Sequence, residues 1–502
     1  MNKKTLQSYV DVLRQAGVLA DCRIETSESK VIVNHLSYNS MDVIHGTLFI
    51  CKGRAFKKEY LAEAFDKGAV CYIAERPIME DRPCIIVSNL RKALIAISEF
   101  HYDDCWKEKL DIIGVTGTKG KSTTVVFLDA ILEDYCNSHD LGPVGMLTGI
   151  YNYDGEKKRK AHLTTEEILE LNRNLYNCVE NGCRYAVMEV SSQALRYGRT
   201  GSVDFKTGIF LNIGEDHISE SEHRNMEDYF NSKLRLIGKS QTACINLDMD
   251  REYLEKVRKK AFHRCRRVIT FGTVPEADCY GFDIKETLDS LSLKVRVGGR
   301  TEELHVNIGG AYNVENVLAS VAAAVSLDIP FENVKRGLAH VKVPGRMEVF
   351  QLPDKDVTVI VDYAHNEMSY NALFESINRD CPERKKLFLF GCVGGRAFNR
   401  REEGGRIADR EADRIILTEY DYGTESIDDI CSEIREYISP EKDVKIITDR
   451  QKAVEYALES SRDGWVVVLA GYSSGDCLIR GRKAVPVPCD METVKKYIAE
   501  HN

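Results

Sequence analysis

Ten consecutive residues carry the sharpest chemical signal in the chain: Gly114-Val115-Thr116-Gly117-Thr118-Lys119-Gly120-Lys121-Ser122-Thr123. The run before them, KLDIIGV (109–115), reads as a short buried strand, and TTVVFLDAILEDY after them has helical periodicity. Strand, glycine-rich turn and helix, in that order, form the context in which such a loop grips phosphate. The glycines let backbone N–H groups turn toward phosphate oxygens, and the helix N-terminus adds its partial positive charge. Lys121 has the reach for β- and γ-phosphates, and the Ser122 hydroxyl can hold Mg²⁺. A strict GxxxxGK[ST] pattern would need glycine at 115, where this chain has valine, so the loop is the TGTxGK[ST] variant. The bland alternative, a glycine-rich turn with a surface lysine, is outweighed by the order of the elements. The loop indicates a nucleoside triphosphate and leaves the reaction open.

The elements that must position this loop fall into three textures. Residues 1 to about 105 mix short strands and helices: TLFICKG (47–53), YLAEAFDKGA (60–69), VCYIAE (70–75) and PCIIVS (83–88). From about 106 the pattern is strand, turn, helix, with further strands at YAVMEVSS (185–192), TGIFLNI (207–213), TACINL (242–247) and RVITFG (267–272). NVENVLASVAAAVSL (313–327) reads as a strong helix. Pro344-Gly345 reads as a hinge or linker. A last α/β stretch follows, with VTVIVDYA (357–364), KKLFLFGC (385–392), ADRIILT (412–418), DVKIIT (443–448) and WVVVLAG (465–471). The expected fold class is therefore α/β in three domains: a small N-terminal α/β domain (1–105), a central phosphate-loop domain built on a parallel sheet (106–342), and a Rossmann-like α/β domain (343–502). A Thr164-Thr165 pair ahead of Glu166-Glu167 reads equally well as a helix capping box (Thr164, Glu167) or as ligand-binding hydroxyls.

Composition narrows the class further. The chain has 502 residues, 43% hydrophobic and 29% charged, which excludes wholesale disorder. A net charge of -9 excludes a global basic footprint for nucleic acid. The segment 250–267 is locally basic and reads as a solvated helix face. Sixteen cysteines are scattered with no CxxC pair, and they read as reduced, mostly buried thiols. The N-terminus has no apolar core of a signal peptide, and no run of about 18 apolar residues occurs, so neither a membrane partner nor export is expected. The expectation is a cytoplasmic monomer.

Further motifs follow the loop in a fixed order: Met188-Glu189-Val190-Ser191-Ser192, Asn212 with Asp216-His217, Tyr229-Phe230-Asn231-Ser232-Lys233, Gly310-Ala311-Tyr312-Asn313-Val314-Glu315-Asn316, Pro344-Gly345-Arg346-Met347-Glu348, and Asp362-Tyr363-Ala364-His365. Taken together they resemble the Mur ligase family, ATP-dependent amide-bond ligases of peptidoglycan precursor synthesis. The opening hundred residues, with SYNSMDVIHGTLFICKG and AFDKGAV, resemble the MurE type. The resemblance implies an ADP-forming ligase that adds an amino acid to a UDP-N-acetylmuramoyl-peptide through an acyl phosphate. It implies ATP held by Gly117, Thr118, Lys119, Gly120, Lys121, Ser122, Thr123, Asn313, Asn316, Arg346 and Asp362. It implies two Mg²⁺ ions on Ser122, Glu189, His217 and a carbamoylated Lys233, with Lys121, Glu189, His217 and Lys233 as the catalytic set. It implies that Ser40, Thr164, Thr165, Ser192 and Arg199 hold the UDP-muramoyl peptide. The chemistry agrees with elementary energetics: joining a carboxylate to an amine is uphill in water, so the carboxylate must be activated and the developing charge neutralised.

The chain departs from the family pattern in its last domain. MurE ligases carry a T-S/D-D-N-P-R/A stretch, where this chain has Thr418-Glu419-Tyr420-Asp421-Tyr422-Gly423-Thr424-Glu425. The expected G-K-G-H-E pattern is Gly471-Tyr472-Ser473-Ser474-Gly475 here, followed by Asp476. A buried second carboxylate on the incoming amino acid needs a cation. Loss of that arginine therefore argues against a diaminopimelate-type substrate, and Tyr420, Asp421, Tyr422 and Asp476 suit a cationic or smaller amino acid. Two other readings remain open on the sequence: a folylpolyglutamate-synthetase-like ligase, which usually lacks the N-terminal uridine-binding domain, and a nucleotide-binding scaffold that has lost ligation.

Overall fold

The structure, a computed structural model, describes residues 3–53, 56–161, 163–201, 203–216, 218 and 222–501. It comprises two compact units, Met1–Thr270 with Val325–Ile329, and Phe271–Ala324 with Pro330–Asn502. Pro344-Gly345 lies inside the second unit.

The first unit holds two sheets. Five strands, β1 (Leu19–Arg23), β2 (His35–Ser37), β3 (Thr47–Ile50), β4 (Ala69–Ala74) and β5 (Cys84–Val87), are ordered β1-β5-β4-β3-β2. Only β1 runs antiparallel to its neighbour. One face packs on the helices Leu6–Gln15 and Leu90–His101 through Tyr9, Leu13, Ile73, Ile85 and Ile97, and the same core takes in Ile168 and Leu169. This apolar seam fixes the N-terminal sheet against the helix Ile168–Glu180, as burial of large aliphatic side chains requires.

The second sheet carries the phosphate loop. Its strands are β6 (Asp111–Thr116), β7 (Gly145–Leu147), β8 (Tyr151–Tyr153), β9 (Lys158–Lys160), β10 (Tyr185–Glu189), β11 (Phe205–Phe210), β12 (Ser240–Asn246) and the start of β13 (Arg267–Gly272). They are ordered β13-β12-β11-β6-β10-β7-β8-β9. The run β12-β11-β6-β10-β7 is parallel, and β8 and β9 continue it as an antiparallel edge. β6 is central and buried almost throughout, so its apolar run follows from burial on both faces.

The helix Lys121–Ser138 that follows the loop buries Val125, Phe127, Leu128, Ile131 and Leu132. On it, burial and the neighbouring Glu133 raise the Asp129 carboxyl to about 7, against the opposing pull of Lys158. A carboxyl whose folded pKa lies above its unfolded value favours the folded state as pH falls through 7, and destabilises it once ionised. Asp129→Asn is therefore expected to raise stability at pH 8 by on the order of 2 kcal/mol and to have almost no effect near pH 4. Urea midpoints at the two pH values measure this.

In the second unit, β14 (Cys279–Glu286), β15 (Leu291–Val297) and β16 (Arg300–Val306) form an antiparallel meander. The strand runs legible in the sequence do not include it. The remaining strands are β17 (Glu348–Gln351), β18 (Val357–Asp362), β19 (Lys385–Phe390), β20 (Arg414–Leu417), β21 (Asp443–Ile446), β22 (Trp465–Ala470), β23 (Cys477–Arg480) and β24 (Lys483–Pro486). Six of them form a sheet ordered β17-β18-β22-β19-β20-β21, parallel except at β17, and β23-β24 is a separate hairpin. Arg450 and Asp490, both fully buried, pair at 2.6 Å, and the Arg450 guanidinium also donates to the Ala470 carbonyl at 2.7 Å. Removing one member would strand the other charge in the core. No helix among the described residues is long and apolar enough to cross a membrane.

Candidate active site

The loop predicted from spacing is present. β6 ends at Thr116 and the helix begins at Lys121. Gly120 caps that helix at φ +83°, a conformation side-chain-bearing residues rarely adopt. Gly117 is required on packing grounds, because a Cβ there would lie 2.9 Å from Leu211 Cβ. Two loop amides are already committed within the protein: Thr118 N and Lys119 N both donate to Asn212 Oδ1, at 3.0 Å each. The N–H groups left for an anion are those of the helix's first turn, around Ser122 and Thr123, which lack intrahelical acceptors.

Three cations crowd this loop. Lys121 Nζ donates to the Gly117 and Thr118 carbonyls at 3.0 and 3.1 Å. Lys119 Nζ donates to Asp216 Oδ2 at 3.3 Å. Lys233, on the helix Met226–Gly238, is 1% exposed, and its Nζ donates to the Gly117 carbonyl at 2.7 Å. Burial, then the Lys121 charge, push the Lys233 amine well below the ordinary lysine range, with Asp216 pulling the other way. A surface lysine would show none of this. Glu189 ends β10 in register with Val115, is 2% exposed, and accepts the Gly149 N–H at 3.0 Å through Oε1. The structure thus gathers Lys121, Lys233 and Glu189 around the end of β6. His217 lies outside the described residues. Among the described residues, no group of three His, Cys, Asp or Glu side chains forms a metal cage.

Thr165 and Arg199 come together beside Glu189, and Ser192 begins the short helix Ser192–Tyr197 that follows β10. Thr165 Oγ1 donates to the Glu189 carbonyl at 2.9 Å and accepts from Ser191 N at 2.9 Å. Arg199 Nη1 donates to the Thr165 carbonyl at 3.3 Å, and its Nε pairs with Glu167 at 2.9 Å. The capping-box reading of Thr164 and Glu167 does not hold. Glu167 itself is the N-cap of the helix, and it makes no side-chain cap. Its carboxylate is drawn instead into ion pairs with Arg199 and Lys52. Ser40 sits in the N-terminal layer, where its Oγ donates to Glu63 at 2.8 Å. A cavity of about 530 Å³ lies over this region, lined by Lys52, Asn89, Arg91, Glu167, Tyr197 and Arg199. Lys52 and Arg91 were not found from sequence. Neither belongs to a recognisable motif, and only the fold brings Lys52 to Glu167.

In the second unit, Asn313 and Asn316 open the helix Asn313–Ser326 and are linked, Asn316 Nδ2 donating to Asn313 Oδ1 at 3.0 Å. Asn313 Nδ2 donates to the Gly309 carbonyl at 2.6 Å. The Arg346 guanidinium stacks 4.3 Å over the Tyr363 ring. Asp362 ends β18, 6% exposed, and accepts from Met347 N at 2.8 Å and Ala364 N at 2.7 Å. Burial raises its carboxyl, and the Arg346 charge opposes that rise. Arg346 and Asp362 are thus set on one sheet end, with the asparagines on a helix of the same unit.

The divergent stretch after β20 is held rigidly. Arg480 grips Glu419 with Nε at 2.8 Å and Nη2 at 2.5 Å. Glu419 Oε1 also accepts the Arg450 N–H at 3.1 Å. Asp421 accepts from Ile479 N at 2.7 Å, Tyr420 is buried, Tyr422 is half-buried, and Asp476 is exposed. Arg480 is therefore already neutralised by a carboxylate of the same stretch.

Comparison with known proteins agrees with this geometry. The Mur ligase middle domain matches residues 115–324, and the Mur ligase, glutamate ligase domain matches residues 345–472. A UDP-N-acetylmuramoyl-L-alanyl-D-glutamate--L-lysine ligase of Enterococcus faecalis is 36% identical over 447 residues, covering 88% of this chain and 86% of its own. The protein of the same description from Streptococcus thermophilus is 32% identical over 503 residues, covering 98% of this chain and all of its own. A solved UDP-N-acetylmuramoyl-L-alanyl-D-glutamate--2,6-diaminopimelate ligase shares the fold over the whole chain, with a TM-score of 0.64 at 21% identity.

Proposed function

This chain belongs to the Mur ligase family, and from that premise we propose that it joins L-lysine to a UDP-N-acetylmuramoyl-L-alanyl-D-glutamate acceptor, releasing ADP and phosphate. It is an ATP-dependent ligase of the MurE type, acting in peptidoglycan precursor synthesis, with the three-part α/β architecture of that family. The relatives match along its whole length, including the first hundred residues. That argues against the folylpolyglutamate-synthetase-like alternative. We take the parts as 1–105 for the UDP end of the substrate, 106–342 for ATP, and 343–502 for the incoming amino acid.

The observation that carries the reading is the buried Lys233 amine on the Gly117 carbonyl, beside Lys121, where burial and the Lys121 charge push it well below the ordinary lysine range. A degenerate scaffold has no reason to keep such a lysine, because a buried amine is costly. A neutral amine is the form that takes up CO₂: the nitrogen bonds to carbon, one proton leaves, and a carbamate remains. The resulting oxygens, with Ser122 Oγ and the Glu189 carboxylate, make a donor set of hard oxygens that fits Mg²⁺. His217 joins this set by family resemblance. Bound there, Mg²⁺ would neutralise phosphate charge. Lys121 and the first-turn amides hold the transferring phosphate, and in the second unit Asn313, Asn316, Arg346 and Asp362 are assigned to the nucleotide by family resemblance. Thr164, Thr165, Ser192 and Arg199 orient the acceptor peptide, with Lys52 and Arg91 of the adjoining cavity nearer its anionic end, and Ser40 toward the uridine. The site needs no membrane or nucleic acid, and we place the reaction in the cytoplasm, with the enzyme working as a monomer.

Two points favour lysine over diaminopimelate. The Enterococcus faecalis and Streptococcus thermophilus relatives are both described as L-lysine ligases. The stretch after β20 lacks the family arginine, and the nearby Arg480 is committed to Glu419. Mass spectrometry of products from a panel of free amino acids tests this. L-lysine is expected to give the dominant adduct. An adduct from diaminopimelate alone would overturn the assignment.

A further inference from the structure

A second cavity of the first unit, about 390 Å³, is lined by Arg235, Lys239, Lys260 and Arg264 together with Leu195 and Thr200, and among the described residues no carboxylate lines it. It lies at the end of the sheet opposite the phosphate loop. Lys239 directly precedes β12, and Phe205, the first residue of β11, is in register with Ser240. The loop follows Thr116, which is in register with Phe210 at the other end of β11. The six residues of that strand, about 20 Å, separate the two levels.

Two of the four cations have structural work. Arg235 Nη1 donates to the Leu195 and Arg196 carbonyls at 3.0 and 3.3 Å, which closes the carboxyl end of the helix Ser192–Tyr197. Lys239 Nζ donates to Thr200 Oγ1 at 3.0 Å and to the Gly201 carbonyl at 2.5 Å, tying down the segment that follows. Burial lowers the Lys239 amine, and the charges of Asp204 and Glu99 oppose that, but neither acid lines the cavity. Lys260 and Arg264 have no such duty. They stand four apart on the helix Arg251–Arg264 and so share one of its faces. Among the described residues neither side chain makes a hydrogen bond or an ion pair. Gly238 makes room for the first of them, since a Cβ there would lie 2.9 Å from Lys260 Cε. The expectation of a solvated basic face over 250–267 holds for Arg258 and Lys259, which are exposed, whereas Lys260 is half-buried against Gly238.

A concave wall of one charge sign focuses the field and concentrates counter-ions. The whole chain carries a net charge of -9, so general basicity does not account for this wall. Guanidinium forks and ammonium groups are suited to phosphate oxygens. The volume falls within the range of small-molecule sites, about 300–1,000 Å³, and exceeds the needs of one phosphate. We infer that this cavity binds a small diphosphate-bearing anion, gripped by Lys260 and Arg264 over the fixed floor of Arg235 and Lys239. No residue assigned above to ATP or to the acceptor peptide lines it, so the site is separate from the ligation machinery.

Calorimetric titration of the full-length protein with inorganic pyrophosphate tests this. Lys121→Ala serves as the background, because it weakens the catalytic loop's own hold on phosphate. In that background, Lys260→Gln with Arg264→Gln should weaken pyrophosphate binding about tenfold or more. Arg258→Gln with Lys259→Gln removes the same charge from the exposed side of the same helix, and should change binding by no more than about twofold. Orthophosphate should bind about tenfold more weakly than pyrophosphate. Since Lys260 and Arg264 are unbonded within the protein, their glutamine pair should melt, without ligand, at the temperature of its parent. Competition with ADP and UDP separates the sources of the diphosphate. Nucleotides no tighter than pyrophosphate mean that the phosphates alone are read, and a Lys260-dependent gain for a nucleotide means that the nucleoside is read as well. Equal losses in the two glutamine pairs, orthophosphate bound as tightly as pyrophosphate, a lowered melting temperature in the Lys260/Arg264 pair, or no saturable binding to Lys121→Ala would each overturn the inference.

Discussion

Replacing Lys121 with alanine should lower ATP-dependent ligation by a factor of about 10² to 10³ or more, while leaving the fold intact. The side chain is half-exposed and its Nζ donates to carbonyls of its own loop, at 3.0 and 3.1 Å, so the packed core does not depend on it. Its value lies in the transition state, where negative charge spreads over the transferring phosphoryl group and a fixed cation costs no reorganisation. The loss should therefore fall on kcat more than on the KM for the acceptor peptide. A second effect follows from the same position. The Lys121 charge is, after burial, a cause that pushes the Lys233 amine below the ordinary lysine range. Without it the Lys233 pKa should rise, and carbamoylation should need a higher pH. Steady-state rates and ¹³C spectra in labelled bicarbonate read the two effects separately.

Lys233→Ala should be equally damaging, by about 10² or more in kcat, and for a different reason. The variant removes the group that can become a carboxylate on demand. The wild-type rate should fall when CO₂ is stripped from the buffer and return when bicarbonate is added. The variant should be insensitive to both, and a small carboxylate such as acetate should restore part of its rate. Lys233→Arg should not rescue, because a guanidinium stays charged and takes up no CO₂. A ¹³C carbamate signal present in the wild type and absent in Lys233→Ala links the rate to the modification. Wild-type rates that ignore CO₂ would show that Lys233 acts as an amine.

Much of this architecture was legible in the residues. The phosphate loop could be read because its glycines and lysines are contiguous and sit between an apolar run and a helical one. The parallel strands of both units could be read because burial on two faces makes them continuous in Val, Ile, Leu and Phe. The meander β14 to β16 was missed for the complementary reason. Leu291, Leu293 and Val295 are buried while Lys294 and Arg296 are not, an alternation of period two that a search for apolar runs passes over.

Side-chain partnerships across long sequence separations were the least legible. Glu167 looked like part of a capping box, and became a bridge between Arg199 and Lys52, which lies 115 residues away. Local sequence cannot weigh an ion pair of that span against a cap. Lys233 shows the opposite case: from its own residues it reads as a surface lysine on a helix, and only the fold buries its amine on the Gly117 carbonyl.

At the centre of the chemistry, a carboxyl group of the acceptor is phosphorylated before nitrogen captures it. Ligation with acceptor peptide labelled with ¹⁸O in its free carboxyl groups tests this most directly. One ¹⁸O atom should appear in inorganic phosphate for every amide bond formed, with ADP as the other product. Phosphate free of label, or label carried into AMP, would contradict the mechanism.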